Sequence, residues 1–539
     1  MVNNVIISNA EIHLNLDKYY NVLSLSSIPF DTYNINKLTT NEIQQYLSNS
    51  TKITSVLTDF FNFVNYPMNS MNLININKLQ LNNELKDIEL NITYFIDNNN
   101  RLKLAYEFDI DLIHDWYHVY ISINNNNNND LLCLINYTNK ASYNVYPLGT
   151  IDPNQGSRQL LINPYNKIAS PLGWHNEGNN KTYTTTKGNN VYAINGNLKD
   201  IQDITVVEGG NELNFNYSLS LLKEPETYIN ASITNLFYIC NILHDLYYLY
   251  GFNEINGNFQ NNNFDLGGKQ NDGLLAYAQS NNDKDNADFT TPPDGKAPRM
   301  RMYLWDETIP NRDGDLEQDI IIHEYTHGLS IRLTGGPSNS NCLGWGEAGG
   351  MGEGWGDIIA IMLSMNQNSD KKDTYFMGYY ANGNKSIRKY PYSTNITINP
   401  STYEIMDKSN YWSVHAKGEV WAMMVLEVYW NLIEYYKFNI DWFDIKNSLN
   451  YGNTLMLKII IDALKLQPCR PTFVEARDAI LLAASNLKYN DKKLQCLIWK
   501  GFAKRGLGVD ARLIGAAPWG GGQRKQDFNI PSYCNSILL

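Results

Sequence analysis

The run His323-Glu324-Tyr325-Thr326-His327-Gly328-Leu329-Ser330, read with Gly352-Glu353-Gly354-Trp355-Gly356-Asp357 downstream, decides how this chain is understood. A spacing of four residues puts His323 and His327 on one face of a helix, one turn apart. Two neutral imidazoles so placed can chelate one zinc ion, Zn2+. Glu324 is rotated about 100° around the axis from His323. It cannot easily bind the same ion, but it can reach a water beside it, which is the position of a general base. The five-residue string alone is only moderately specific. Glu353, 26 residues beyond His327, supplies a third ligand and is read as the start of a second helix. Asp357 follows four residues later on the same face. It is placed to accept the second ring N–H of a ligand histidine, His323, which fixes the tautomer and raises ligand basicity. The plain alternative is a pair of core histidines. It would carry Glu324 into a buried helix without a partner, which is costly. A three-histidine site on one extended motif is excluded, because it needs Gly at 330 and His at 333, where this chain has Ser330 and Leu333. Three protein ligands leave one position for water, the open arrangement of a catalytic site.

Outward from this point, helical periodicity dominates the C-terminal part. One helix is expected over 316–332, stopping before Gly335-Gly336-Pro337. Others are expected over 353–365, apolar nearly all round, and over 412–436. Upstream, residues 141–312 are rich in Gly, Asn, Pro and aromatics and read as strands joined by long loops. A helix over 229–249 interrupts them. His244-Asp245 within it reads as a satisfied core pair, since no second ligand stands at a useful spacing. Residues 1–140 carry short alternating runs, at 5–7, 11–16 and 102–108, that read as strands. They also carry one or two helices over 40–63 and a poly-Asn tip at 124–129. This first part is a small α+β domain.

The 539 residues exceed what one hydrophobic core supports, so two or three folding units are expected. The net charge of −12 argues against nucleic acid or an anionic membrane as partner. There is no apolar run long enough to span a membrane. The six cysteines form no C-x-x-C pair, so a cysteine zinc site is not expected.

The motif residues also resemble those of the fungalysin family of secreted zinc metallopeptidases. The likeness covers His323 to Ser330, Arg332-Leu333-Thr334-Gly335-Gly336-Pro337, and Glu347 through Asp357. It extends to Tyr143-Asn144-Val145-Tyr146-Pro147, Thr291-Pro292-Pro293-Asp294-Gly295 and Trp499-Lys500-Gly501-Phe502-Ala503-Lys504-Arg505-Gly506-Leu507-Gly508. The resemblance implies an α+β architecture: a thermolysin-like, two-lobed zincin catalytic domain behind a small α+β propeptide domain. It implies an endopeptidase of broad specificity, acting on proteins and peptides, made as a secreted zymogen and inhibited by its own propeptide. Residues 1–140 then correspond to the propeptide, expected to be N-terminally incomplete because no signal peptide is read at the start. Residues 141–335 form a strand-rich lobe ending in the metal-ligand helix, and 336–539 a mainly helical lobe. Carried over residue by residue, His323, His327 and Glu353 are the ligands of one zinc ion and Glu324 is the base. His415 is the downstream histidine that donates to the oxyanion. Asn286 and Ala287 fit the edge segment that pairs with substrate backbone. Ile331 departs from the family's Asn. Cys469 and Cys496 are candidates to pair in a secreted protein, and a monomer is expected. Two rival readings are an inactive metallopeptidase-like binding protein and a zinc exopeptidase. No catalytic residue is missing and nothing resembles an anchor for a free amino terminus, so both are disfavoured.

Overall fold

The computed structural model of the chain describes residues 7, 12–16, 22–27, 39–64, 71–75, 78–81, 84–97, 99, 101–112, 116–123 and 129–136, and all residues from 141 onward except 180, 197–203, 516–521 and 539. The chain forms two units, residues 1–139 and 140–539.

In the first unit the 40–63 stretch is two helices, α1 (Thr40–Ser48) and α2 (Ser50–Phe63). A capping box opens α1: Thr39 accepts from the Glu42 amide at 3.3 Å, and the Glu42 carboxylate accepts from the Thr39 amide at 2.7 Å. Asn49 breaks the run and caps α2 by accepting from the Lys52 amide at 3.0 Å. Ile53, Val56, Leu57, Phe60 and Phe61 recur at helical spacing and form the buried face of α2. They pack on Tyr106, Phe108, Val119 and Ile121. These belong to a four-stranded antiparallel sheet, Leu90–Ile96, Leu102–Asp111, Trp116–Ser122 and Leu131–Asn136 in that order. The expected strand near 11–16 is Ile12–Leu16, paired with Val22–Ser27. Val5, Ile6 and most of the poly-Asn tip, 124–128, lie outside the described residues.

The second unit is built on a mixed sheet. Val191–Ile194, Leu274–Ser280 and Arg299–Trp305 run parallel, and Ala287–Thr290 is antiparallel at one edge. Short Arg312–Asp313 also pairs with Arg299–Trp305. The first strands read as near-continuous apolar runs because α3 (Ile229–Tyr250) covers them. α3 ends at Gly251, whose φ of 112° lies in the left-handed region that a Cβ would disfavour. Then come α4 (Gln318–Leu333), α5 (Gly346–Ser364) and α6 (Val414–Tyr436), followed by α7 (Gly452–Leu466), α8 (Phe473–Leu487), α9 (Lys492–Lys504) and α10 (Ser532–Leu538). One apolar core runs from the sheet through all but α10, whose Leu538 packs at its margin.

Two expectations are corrected. α5 begins at Gly346, so Glu353 sits in its interior and not at its start. Gly349, Gly350 and Gly354 stand in the helix where α6 approaches too closely for side chains. A Cβ on Gly418 of α6 would stand 2.6 Å from the Glu353 Cβ and 2.9 Å from the Gly354 nitrogen. Tertiary packing outweighs the poor helix propensity of glycine. The pairing of Cys469 with Cys496 does not occur. Cys342 pairs with Cys469 and Cys496 with Cys534. Cys469, just past the end of α7, has its Cα 4.6 Å from that of Cys342, and Cys496 of α9 faces α10.

Candidate metal centre and its cleft

α4 is buried almost throughout, so its two histidines enter a walled site. The His323 and His327 rings lie 4.8 Å apart, nearly perpendicular. The α5–α6 glycine contact lets Glu353 approach them. Its Oε2 lies 3.2 Å from His323 Nε2 and 3.8 Å from His327 Nε2. Among the described residues, this is the trio of His, Cys, Asp or Glu whose donor atoms all fall within 4.8 Å of one another. His415, in the first turn of α6, places Nε2 3.2 Å from the same carboxylate oxygen. Glu353 Oε2 is nevertheless buried without a hydrogen bond. A buried carboxylate oxygen facing imidazole nitrogens suits a cation held between them. Two imidazoles and a carboxylate make a donor set that fits zinc.

Asp357 stands one turn beyond Glu353 and meets His323: Nδ1 lies 2.7 Å from Asp357 Oδ1. Gly356 permits this contact, because a Cβ there would stand 2.5 Å from His323 Nδ1. Asp357 also accepts a bidentate pair from Arg388, Nε to Oδ2 at 2.7 Å and Nη2 to Oδ1 at 2.8 Å, and a bond from the Tyr392 hydroxyl. Burial opposes its charge, but the Arg388 guanidinium wins and holds the carboxyl far below the usual range.

The titrating groups separate clearly. Burial pushes the Glu324 carboxyl up to about 7; His323 opposes the rise and Glu353 adds to it. Burial drives His327 down to about 4. Burial would also neutralise His323, but Asp357 and Glu353 outweigh it and raise the ring to about 10. Burial raises Glu353 and the histidines lower it, leaving it at about 2. A metal held there would take the neutral ring of each histidine as its donor. His415 is more than half exposed and is lowered, first by burial.

These groups line a cleft of about 350 Å³. Asn286 and Ala287 form one rim, where Ala287–Thr290 is bonded on one side only among the described strands. Ile331 also lines the cleft, so the departure from the family pattern faces this space. Met377, Ile387 and Arg388 form another wall. A more polar cleft of about 450 Å³ around Tyr183 and Lys187 holds none of the expected site residues. His244 is satisfied in the core, 3.0 Å from Asp245 Oδ1 and 3.3 Å from Gln260 Oε1.

Sequence reasoning did not find Arg388 or Tyr392. They lie in the irregular segment between α5 and α6, where no period or spacing ties a residue to a helix face.

A histidine pair on one helix, a carboxylate from the next and an open cleft on an α+β scaffold define a metallopeptidase. Residues 142–511 match the fungalysin metallopeptidase family, and the chain belongs to it. It is a zinc metalloendopeptidase, a hydrolase of peptide bonds. Extracellular metalloproteinase 2 of Phaeosphaeria nodorum is 42% identical over 445 residues, which are 81% of this chain and 68% of that protein. Extracellular metalloproteinase 1 of Trichophyton rubrum is 43% identical over 433 residues, 79% of this chain and 67% of the relative. Extracellular metalloproteinase mep of Aspergillus flavus is 43% identical over 454 residues, 83% and 69% respectively.

Proposed function

We propose that the chain hydrolyses internal peptide bonds with one zinc ion held by His323, His327 and Glu353, and with Glu324 as general base. The observation that carries this reading is the buried Glu353 Oε2 turned toward the Nε2 atoms of His323, His327 and His415 at 3.2, 3.8 and 3.2 Å, with Glu324 lining the same cleft. When bound, zinc supplies Lewis acidity that polarises a carbonyl and brings the acidity of water near neutral pH. Glu324 takes a proton from the attacking water onto its carboxylate and delivers it to the leaving amine nitrogen. Burial supports this role, because a carboxyl poised near neutrality can both accept and release a proton. His415 donates from its ring N–H to the oxygen that gains charge. Asp357 holds the His323 ring through Nδ1 and so directs Nε2 at the metal position. Asn286 and Ala287 receive substrate backbone along the free sheet edge.

The same reading makes the protein an extracellular zymogen acting as a monomer. Residues 1–140 form an inhibitory propeptide, and 141–335 and 336–539 the two catalytic lobes. The names of the relatives support secretion, and two disulfides suit an oxidising compartment. Among the described residues no helix is long and apolar enough to cross a membrane. The test is casein hydrolysis by wild type and Glu324→Gln, with zinc counted in both. One zinc in each, and a rate loss of about 10²–10⁴-fold in the variant, is expected. A Glu324→Gln enzyme as active as wild type removes the base assignment.

A further inference from the structure

Each helix of the centre carries a second carboxylate one turn from its site residue. Asp319 precedes His323 by four residues on α4, Asp357 follows Glu353 by four on α5, and Glu419 follows His415 by four on α6. Four residues return to the same helical face, so each carboxylate lies beside the residue that faces the cleft. All three are buried. All three also grip one stretch of chain, residues 377–390, which supplies Met377, Ile387 and Arg388 to the cleft.

The grips fall at both ends of the stretch. Asp319 Oδ2 accepts the Gly378 amide at 3.0 Å. Asp357 holds the Arg388 side chain. Glu419 Oε1 accepts the Lys389 amide at 3.2 Å and also faces the Tyr390 amide. The stretch lies in no helix or named strand. Its internal backbone bonds are turn-like: Asn382 to Gly378, Asn384 to Tyr379, Lys385 to Asn382 and Ile387 to Met377. Its middle is held from outside by Glu317, which accepts the Ala381 amide at 2.5 Å, and by Arg312, which donates to Asn384 Oδ1 at 2.9 Å. Its two ends meet the metal-centre helices through the three carboxylates.

We propose that Asp319 and Glu419 are positioning residues that hang the substrate wall of the cleft from the helices of the metal centre, at a fixed distance from the reacting groups. The ligand of that wall is the side chain of the peptide substrate next to the scissile bond. The inference rests on the reading of this cleft as the substrate site. It goes beyond that reading by assigning the wall's position to two carboxylates that touch neither substrate nor metal.

Glu419 gives the sharper test. Replacing it by Leu in the full chain leaves the amides of Lys389 and Tyr390 without their acceptor. The expected result is a rise in KM for a peptide substrate of about tenfold, with kcat within about threefold and one zinc retained. Glu419→Gln keeps an acceptor oxygen in place and restores wild-type KM at neutral pH. Amide hydrogen exchange provides a readout independent of activity: Gly378, Lys389 and Tyr390 are protected in wild type, and Lys389 and Tyr390 lose protection in Glu419→Leu. An unchanged KM in Glu419→Leu overturns the proposal, as does a Gln variant as impaired as Leu. If the Leu variant does not fold, unprotected Gly378 and Lys389 amides in wild type overturn it alone. A zinc-free or base-independent enzyme would instead strike the reading of the cleft, and exchange at these amides would still report on the clamp.

Discussion

α4 and the 377–390 stretch line the same cleft, yet opposite means hold them. α4 is a regular helix whose own period sets His323 and His327 one turn apart. The stretch has no repeating backbone bond; Asp319, Asp357 and Glu419 of three separate helices hold its ends, and Glu317 and Arg312 its middle. On the proposed reading, chemistry is placed on rigid elements and the wall proposed to meet substrate is suspended from them. Damage to the helix frame is expected to abolish function, and damage to the suspension to retune it.

The largest effect is expected at the helix crossing. Gly418→Ala brings a Cβ to 2.6 Å from Glu353 Cβ and 2.9 Å from the Gly354 nitrogen. Backbone cannot yield there, so α6 must move off α5 and carry His415 from Glu353. Activity should fall by about a hundredfold or more in chains that still fold, read as kcat/KM on casein. A variant within about threefold of wild type would mean that the two helices adjust freely.

Asp357 belongs to both regions, since it orients His323 and anchors Arg388. Asp357→Asn should weaken zinc affinity by about 10–100-fold, measured by competition with a chelator. Unchanged affinity would leave Asp357 to the suspension alone.

The smallest effect is a pH dependence. Burial raises the Glu419 carboxyl from its ordinary 4.5 to about 7; the Lys389 amide and Arg388 oppose the rise and Asp357 adds to it. Folded Glu419 stays protonated where the unfolded chain has already ionised. Its contribution to stability is full below the unfolded value and is lost as pH rises through about 7. Glu419→Gln removes that loss. The melting temperature of the variant should therefore fall less than that of wild type between about pH 5 and pH 7.5. Parallel curves would mean that Glu419 ionises normally in the fold.

The same division governs what the sequence revealed. Apolar spacing placed α3, α4 and α6 to within about two residues, because burial on a helix writes its own period. The four-residue spacing and the resemblance brought His323, His327, Glu353, Asp357 and His415 to one place on the chain's map, and the structure brings these side chains together. The start of α5 was missed because Gly349, Gly350 and Gly354 answer to α6, a partner 60 or more residues away. The true partner of Cys469 lies 127 residues away, beyond the reach of local spacing. Arg388 and Tyr392 were missed for the same reason: residues of an irregular segment carry no pattern of their own.

Zinc stoichiometry of the purified full chain, wild type against Glu353→Gln, tests the account at its centre. The account predicts one zinc per wild-type chain, and loss of tight zinc and of peptide hydrolysis in a variant whose far-ultraviolet dichroism is unchanged. A folded Glu353→Gln protein that keeps its zinc and cuts casein at the wild-type rate would contradict it.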